Sequence, residues 1–255
     1  MNEFETKDPS KELKEEKKSP SAWDCIGGNL TKKWNPKMKP YIYKKNRKGR
    51  SVLKAQEIIE KLDKAKLKIR ELVKSGSTVL FVGISPHLSQ IVKEAAINCW
   101  SPYMVHRWPG GFLTNSKIIF RRINYLKSLI SLQKSEKFTG LSKKSQSDLE
   151  KKINKLIKVY GGVIDLKKTP DVIFPIKSSN ALKEAVKFRR DYKKMDNISI
   201  ISICNTDGDP NLADCSILGN DFRERSVSFL VNAVSETIKE IRANDQNNST
   251  EKTSS

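Results

Sequence analysis

Asp207, Asp209 and Asp214 fall in one loop behind a β-rich run, Ile198–Cys204. Three carboxylates so close could hold magnesium or exchange protons with a substrate. The same stretch contains Asp209-Pro210, and Asp, Asn and Pro are the residues turns favour, so a turn is the simpler account. His87 and His106 are the two histidines, and neither has an acid at a spacing that would make a catalytic pair. Gly83 closes the run Thr78–Val82 and could begin a phosphate loop. It is followed by Ile84-Ser85-Pro86, and both the Gly-x-Gly-x-x-Gly and Gly-x-x-x-x-Gly-Lys-Ser/Thr patterns are missing. Cys25, Cys99, Cys204 and Cys215 form no Cys-x-x-Cys pair, which argues against a zinc ribbon or a redox dithiol and for a reduced compartment. These sets do not converge on a catalytic centre.

Another chemistry is written more strongly, the neutralising of phosphate. Lys32, Lys33, Trp34, Asn35, Lys37, Lys39, Tyr41, Lys44, Lys45 and Arg47 interleave cations with aromatic rings. Lysine neutralises phosphates and releases counterions, and an exposed ring stacks on an unpaired base. Trp34 could instead pack on the domain. A second stretch, His106 to Asn115, holds Arg107, Trp108, Gly110, Gly111, Thr114 and Asn115. Arg107 suits a bidentate phosphate contact, and paired glycines allow a backbone to come close to a ligand. Thr114 and Asn115 also suit the N-cap of the helix that follows. Arg121 and Arg122 extend the basic character into that helix.

The charge distribution agrees. The 255 residues carry 49 Lys and Arg against 29 Asp and Glu, a formal charge of +20. Such an excess indicates a polyanionic partner. Residues 31–74 have sixteen basic and four acidic side chains, and residues 107–168 have fifteen and four. Residues 195–255 have five basic and ten acidic, so the C-terminal part faces solvent or a basic neighbour. No run approaches the roughly 18 apolar residues of a membrane span. The acidic, apolar-poor start is neither a secretory signal nor a transit peptide.

The elements that must position these residues alternate. Pro36 and Pro40 keep residues 31–50 out of a regular helix, leaving an extended or turn-rich arm. From Ser51 to Lys74, apolar residues recur at helical steps. Thr78–Val82, Val172–Ile176 and Ile198–Cys204 read as strands, and Pro86–Asn98, Ala181–Tyr192 and Arg225–Arg242 as helices. Strands separated by helices predict an α/β fold, a parallel sheet covered on both faces. Ile119, Ile123, Leu126 and Ile130, then Leu149, Ile153, Leu156 and Tyr160, step by four, three and four. That spacing predicts an antiparallel coiled-coil hairpin, ended by Gly161-Gly162 as a glycine C-cap.

In order along the chain stand Trp34-Asn35-Pro36-Lys37-Met38, Pro40-Tyr41-Ile42, Leu80-Phe81-Val82-Gly83 and His106-Arg107-Trp108 with Gly110-Gly111. Leu113-Thr114-Asn115, Gly161-Gly162-Val163, Pro170-Asp171, Asn205-Thr206, Asp209-Pro210 and Gly219-Asn220-Asp221 follow. This series, from about residue 22 to 242, resembles the bacterial-type small-subunit ribosomal protein two family, found also in organelles. The resemblance implies a flavodoxin-like (Rossmann-like) sheet with an inserted helical hairpin. It also implies a seat at the junction of head and body of the small ribosomal subunit, contacts to ribosomal RNA and neighbouring ribosomal proteins, and no catalytic residues. In bacteria the family helps dock the largest small-subunit protein, which captures messenger RNA. The chain departs from the family at Cys25–Leu30, where a His-Gly-His stretch is usual, at Pro109, where leucine is usual, and at Asn205 and Gly208.

The expectation is therefore a scaffold that supports translation and is not an enzyme. A disordered tail at 1–20 and another at 244–255 are expected to flank a basic arm and first half-domain at 21–106, a glycine loop and hairpin at 107–162, and a second half-domain at 163–243. The RNA-binding set is that named above, from Lys32 to Arg122. No cofactor is expected beyond structural magnesium held with ribosomal RNA, and neither a membrane nor a small-molecule substrate is a partner. Abundant Lys, Asn and Ile suggest AT-rich coding and an organellar copy, plastid ahead of mitochondrion or bacterium. Two other classes stay open: an α/β enzyme binding a phosphorylated ligand at the Gly83 or acidic loop, and an RNA-binding module acting off the ribosome.

Overall fold

The computed structural model describes residues 21–177, 180–191 and 198–253. The tail expected at 1–20 lies outside them, as does Tyr192. After a single helical turn, α1 (Ala22–Cys25), strands β1 (Gly27–Leu30), β2 (Ile42–Lys45) and β3 (Arg50–Leu53) make a small antiparallel sheet in the order β1-β3-β2. The basic arm is thus a hairpin preceded by a 3-10 segment at Pro36–Tyr41, more regular than the sequence suggests. Ser51–Leu53 belong to β3, and the helix expected from Ser51 starts at Ala55.

Helix α2 (Ala55–Lys74) buries Ile58, Leu62, Ala65, Ile69 and Val73, one stripe at three- and four-residue steps. Then come β4 (Val79–Val82), α3 (Ser89–Asn98) and a two-residue strand β5 (Tyr103–Met104). The hairpin follows as α4 (Ser116–Gln133), a short α5 (Glu136–Thr139) and α6 (Lys143–Tyr160). The chain ends with β6 (Val172–Pro175), α7 (Asn180–Asp191), β7 (Ser199–Cys204), β8 (Cys215–Leu218) and α8 (Glu224–Thr253).

The main sheet is parallel, in the order β5-β4-β6-β7-β8. Numbered from its own first strand, this is 2-1-3-4-5, the flavodoxin-like order. Strand side chains alternate between two cores. Val79, Phe81, Val172, Phe174, Ile201, Ile203 and Ile217 face α2, α3 and α8. Leu80, Val82, Met104, Ile173 and Ile200 face α4, α6 and α7. The hairpin replaces the simple crossover between β5 and β6. Its Ile119, Ile123, Leu126, Leu129, Ile153 and Tyr160 are buried in the second core, whereas Ile130, Leu149 and Leu156 of the expected spacing are only partly buried, so the hairpin packs against the sheet.

Two boundaries differ from expectation for identifiable reasons. Gly161 does not turn left-handed; its φ is −57°, and the chain continues into a 3-10 turn. Glycine is needed one residue later, where a Cβ on Gly162 would sit 2.3 Å from the carbonyl oxygen of Tyr103 in β5. At the other end, residues 244–253, expected as tail, continue the helical backbone of α8 to Thr253. Neither Gly nor Pro interrupts 224–253, so nothing local stops the helix.

Candidate nucleic-acid interface

The arm is fixed to the body by the acidic loop. Lys37 Nζ lies 2.6 Å from Asp209 Oδ2, and the Asn35 backbone N–H donates to the Thr206 carbonyl at 2.7 Å. Asn29 N–H donates to Thr206 Oγ1 at 2.9 Å, and the Asn220 amide donates to the Gly27 carbonyl. Met38 is fully buried and plugs the arm into the first core. Lys37 holds the Asp209 carboxyl below its ordinary range, chiefly through their hydrogen bond. Burial pushes the Asp221 carboxyl up, although it accepts a hydrogen bond from Asn205 Nδ2 at 2.6 Å.

Two of the three aspartates of the acidic loop are committed, each to a different set of partners. Asp209 caps a 3-10 turn by accepting from Asn211 N–H at 3.0 Å. Asp214 accepts from Ile200 N–H at 2.8 Å and from Arg189. Asp207 is exposed. The turn reading therefore accounts for them, and no group of three or more His, Cys, Asp or Glu able to hold a metal occurs among the described residues. Gly83 is a packing residue rather than a phosphate cradle, since a Cβ there would lie 2.5 Å from Val92 of α3. Burial pushes the Cys25 thiol to about 11 and Cys204 to about 12, which keeps both protonated at neutral pH. Among the described residues no helix is long and apolar enough to cross a membrane.

The glycine loop closes around a residue that sequence reasoning passed over, Glu184 of α7. Its Oε2 accepts from Trp108 Nε1 at 2.8 Å and from Gly111 N–H at 3.1 Å. Its Oε1 accepts from Leu113 N–H at 2.9 Å, Thr114 N–H at 3.3 Å and the Thr114 hydroxyl at 3.4 Å. Trp108 is only 7% exposed and packs on Phe112 in a tilted pair with ring centroids 4.8 Å apart. Trp108 is thus turned inward, and the loop donors expected to meet RNA are occupied by a carboxylate. Gly111 has φ +81°, a value that favours glycine, whereas nothing crowds Gly110. Asn115 holds the N-cap position of α4, though its side chain makes no capping bond. A single glutamate in an amphipathic helix gives no sequence signal of this role; only the fold brings α7 against the loop.

What stays outside is a set of cations. Arg107, Arg121 and Arg122 are exposed, and Arg122 donates to the Tyr160 hydroxyl at 3.5 Å. Lys32, Lys33, Lys39, Lys44, Lys45 and Arg47 are exposed along the arm, where Gly49 at φ +73° closes the β2–β3 turn. Trp34 is 36% exposed, poised at the surface rather than packed away, and Tyr41 is half-buried. On the hairpin, Lys143, Lys144, Lys151, Lys155 and Lys158 are exposed, and Lys152 donates to the Tyr125 hydroxyl at 2.7 Å. The arrangement offers two cationic surfaces, on the arm and on the hairpin, suited to gripping a phosphate backbone.

Residues 24–241 match the family model described as Ribosomal protein S2. A protein of Coprothermobacter proteolyticus is 34% identical over 222 residues, covering 86% of this chain and 80% of its own. One from Dictyoglomus thermophilum is 36% identical over 216 residues, 84% of each chain. A third, from Mycobacteroides abscessus, is 35% identical over 216 residues, 84% of this chain and 75% of its own. All three are named small ribosomal subunit protein uS2. The match spans the arm, both halves of the parallel sheet and the hairpin between them, and by that extent the chain belongs to the Ribosomal protein S2 family.

Proposed function

We propose that this protein is a structural, non-enzymatic constituent of the small ribosomal subunit that supports translation by binding ribosomal RNA and neighbouring ribosomal proteins. The observation that carries the reading is the family match over residues 24–241, joined to exposed cations on the arm and hairpin. Arg107, Arg121 and Arg122 contact phosphates from the hairpin base, and Lys32, Lys33, Lys39, Lys44, Lys45 and Arg47 do so from the arm, with Trp34 free to stack. Lys37 serves two ends, since its ammonium already meets Asp209. The four-three-four apolar spacing supports a short coiled-coil seam in the hairpin. The seat is the junction of head and body, and the acidic C-terminal part meets solvent or a basic neighbouring protein. The abundance of Lys, Asn and Ile supports an organellar ribosome, a plastid one first.

Sedimentation of a native lysate through sucrose tests this. Co-migration with the small subunit that survives a moderate salt wash is the expected result. Migration only at the top of the gradient would overturn the ribosomal role. Repeating the gradient on purified plastids and mitochondria assigns the compartment.

A further inference from the structure

A third cationic surface lies on the opposite core layer from the hairpin. Helix α2 presents Lys61, Lys64 and Lys68 toward a groove of about 500 Å³, closed by Tyr41 from the arm, Asn211 from the β7–β8 loop and Ser216 of β8. Residues spaced by three and four share one helix face, so the three ammonium groups form a row along the groove. Lys61 Nζ stands 5.2 Å from the centre of the Tyr41 ring, which ties the row to the arm. The opposite wall offers no free carboxylate to satisfy these cations. Asp214, its acidic residue, has one oxygen on Arg189 and the other on the Ile200 N–H. Burial pushes the Cys215 thiol up, Lys61 and Lys64 act on it in the other direction, and Asp214 adds to the rise. Lys68 also meets Glu71 at 3.2 Å, an exposed pair that a phosphate can replace at small cost.

We propose that this groove binds an RNA phosphate backbone, with Lys61, Lys64 and Lys68 as phosphate ligands and Tyr41 as a flanking ring. The proposal rests on the ribosomal reading and adds a contact surface separate from the hairpin. A cationic row facing a wall with no available anion fits a polyanion, and an acidic protein segment is the competing occupant.

The test is rebinding of the full chain to small subunits stripped of this protein, with affinity measured across a series of salt concentrations. Each phosphate neutralised adds about 0.7–0.9 to the slope of log affinity against log salt. The K61Q/K64Q/K68Q variant is expected to lower that slope by about two to three. Charge-preserving K61R/K64R/K68R keeps the wild-type slope, which excludes a folding defect as the cause. Protection of an RNA backbone segment from hydroxyl-radical cleavage, lost in the glutamine variant alone, separates RNA from an acidic protein segment. An unchanged slope, or a lowered slope without a change in RNA protection, overturns the groove assignment. If R107Q/R121Q/R122Q still lowers the slope in that case, the ribosomal reading stands. Failure of the wild-type chain to rebind would instead overturn that reading and the groove with it.

Discussion

Trp108 and Glu184 meet through one hydrogen bond, indole Nε1 to Oε2 at 2.8 Å, across 76 residues of chain. That carboxylate also takes three backbone N–H groups and a hydroxyl from Gly111 to Thr114, so one side chain on α7 shapes the whole entry to the hairpin. Hydrogen bonds to a charged acceptor are each worth about 1.5–3 kcal/mol, and unpaired donors add their own penalty. Glu184→Ala is expected to destabilise the protein by roughly 3 kcal/mol. Glu184→Gln should lose about half as much, because it keeps an acceptor but not the charge. Urea unfolding followed by tryptophan fluorescence reads both. Equal stability of wild type and Glu184→Ala would mean that the loop holds its shape without the carboxylate.

The arm gives a pH-dependent expectation. Asp209 has a depressed pKa in the folded protein, caused first by the hydrogen bond from Lys37. A depressed carboxylate contributes stability above its unfolded pKa of about 3.9 and loses it as pH falls through the lower folded value. Wild type should therefore exceed Asp209→Asn in stability at pH 6 and converge on it as pH drops below about 4. Lys37 is half exposed, so the difference at pH 6 is at most about 1 kcal/mol. Unfolding curves for both proteins at pH 6 and pH 3 decide it, and a gap that persists at pH 3 would assign the effect to the shape of the turn rather than to charge.

The helices and central strands of the body were legible because their apolar periods are plain. Ile58, Leu62, Ala65, Ile69 and Val73 mark α2, and Val79–Val82 mark β4. The β-hairpin was not, because each strand is only four residues long, follows a proline-broken basic stretch and, in Ile42–Lys45, leaves every residue from Tyr43 on exposed. β8 escaped notice because Cys215–Leu218 is short and directly follows the acidic turn. Among the candidate site residues, exposure sorted what residue type could not. Arg107 and Trp108 are neighbours with the same sequence signal, yet one points outward and the other is held by Glu184. A long-range partner such as Glu184 leaves no trace in local spacing, since any amphipathic helix carries glutamates.

Gly162 should be far less tolerant than Gly161. A Cβ at Gly162 would approach the Tyr103 carbonyl oxygen to 2.3 Å and its ring to 2.6 Å, whereas at Gly161 the nearest atom is Ile157 Cγ2 at 3.2 Å. Gly162→Ala must push α6 away from the edge strand β5. We expect a loss of about 2–3 kcal/mol, against less than about 1 for Gly161→Ala. Thermal unfolding of the two variants compares them directly, and similar melting temperatures would show that the α6–β5 contact yields easily.

Trp100 supplies a substitution expected to stabilise. Helix α3 ends in a Schellman motif, with Ser101 N–H on the Ala96 carbonyl at 2.9 Å and Trp100 N–H on the Ile97 carbonyl at 3.0 Å. The motif needs a left-handed residue just past the cap, and Trp100 fills that place at φ +51°, where glycine is the usual occupant. A bulky L-residue there carries about 1–2 kcal/mol of strain. The side chain is 61% exposed, so little packing offsets it. Trp100→Gly should therefore raise stability by about 1 kcal/mol, a shift of roughly 2–4 °C in Tm. Trp100→Ala keeps the strain and loses the ring contacts, so it should not gain. If glycine proved no better than alanine, the strain at this cap would be negligible, and the contacts of the indole with its surroundings would be what holds the turn.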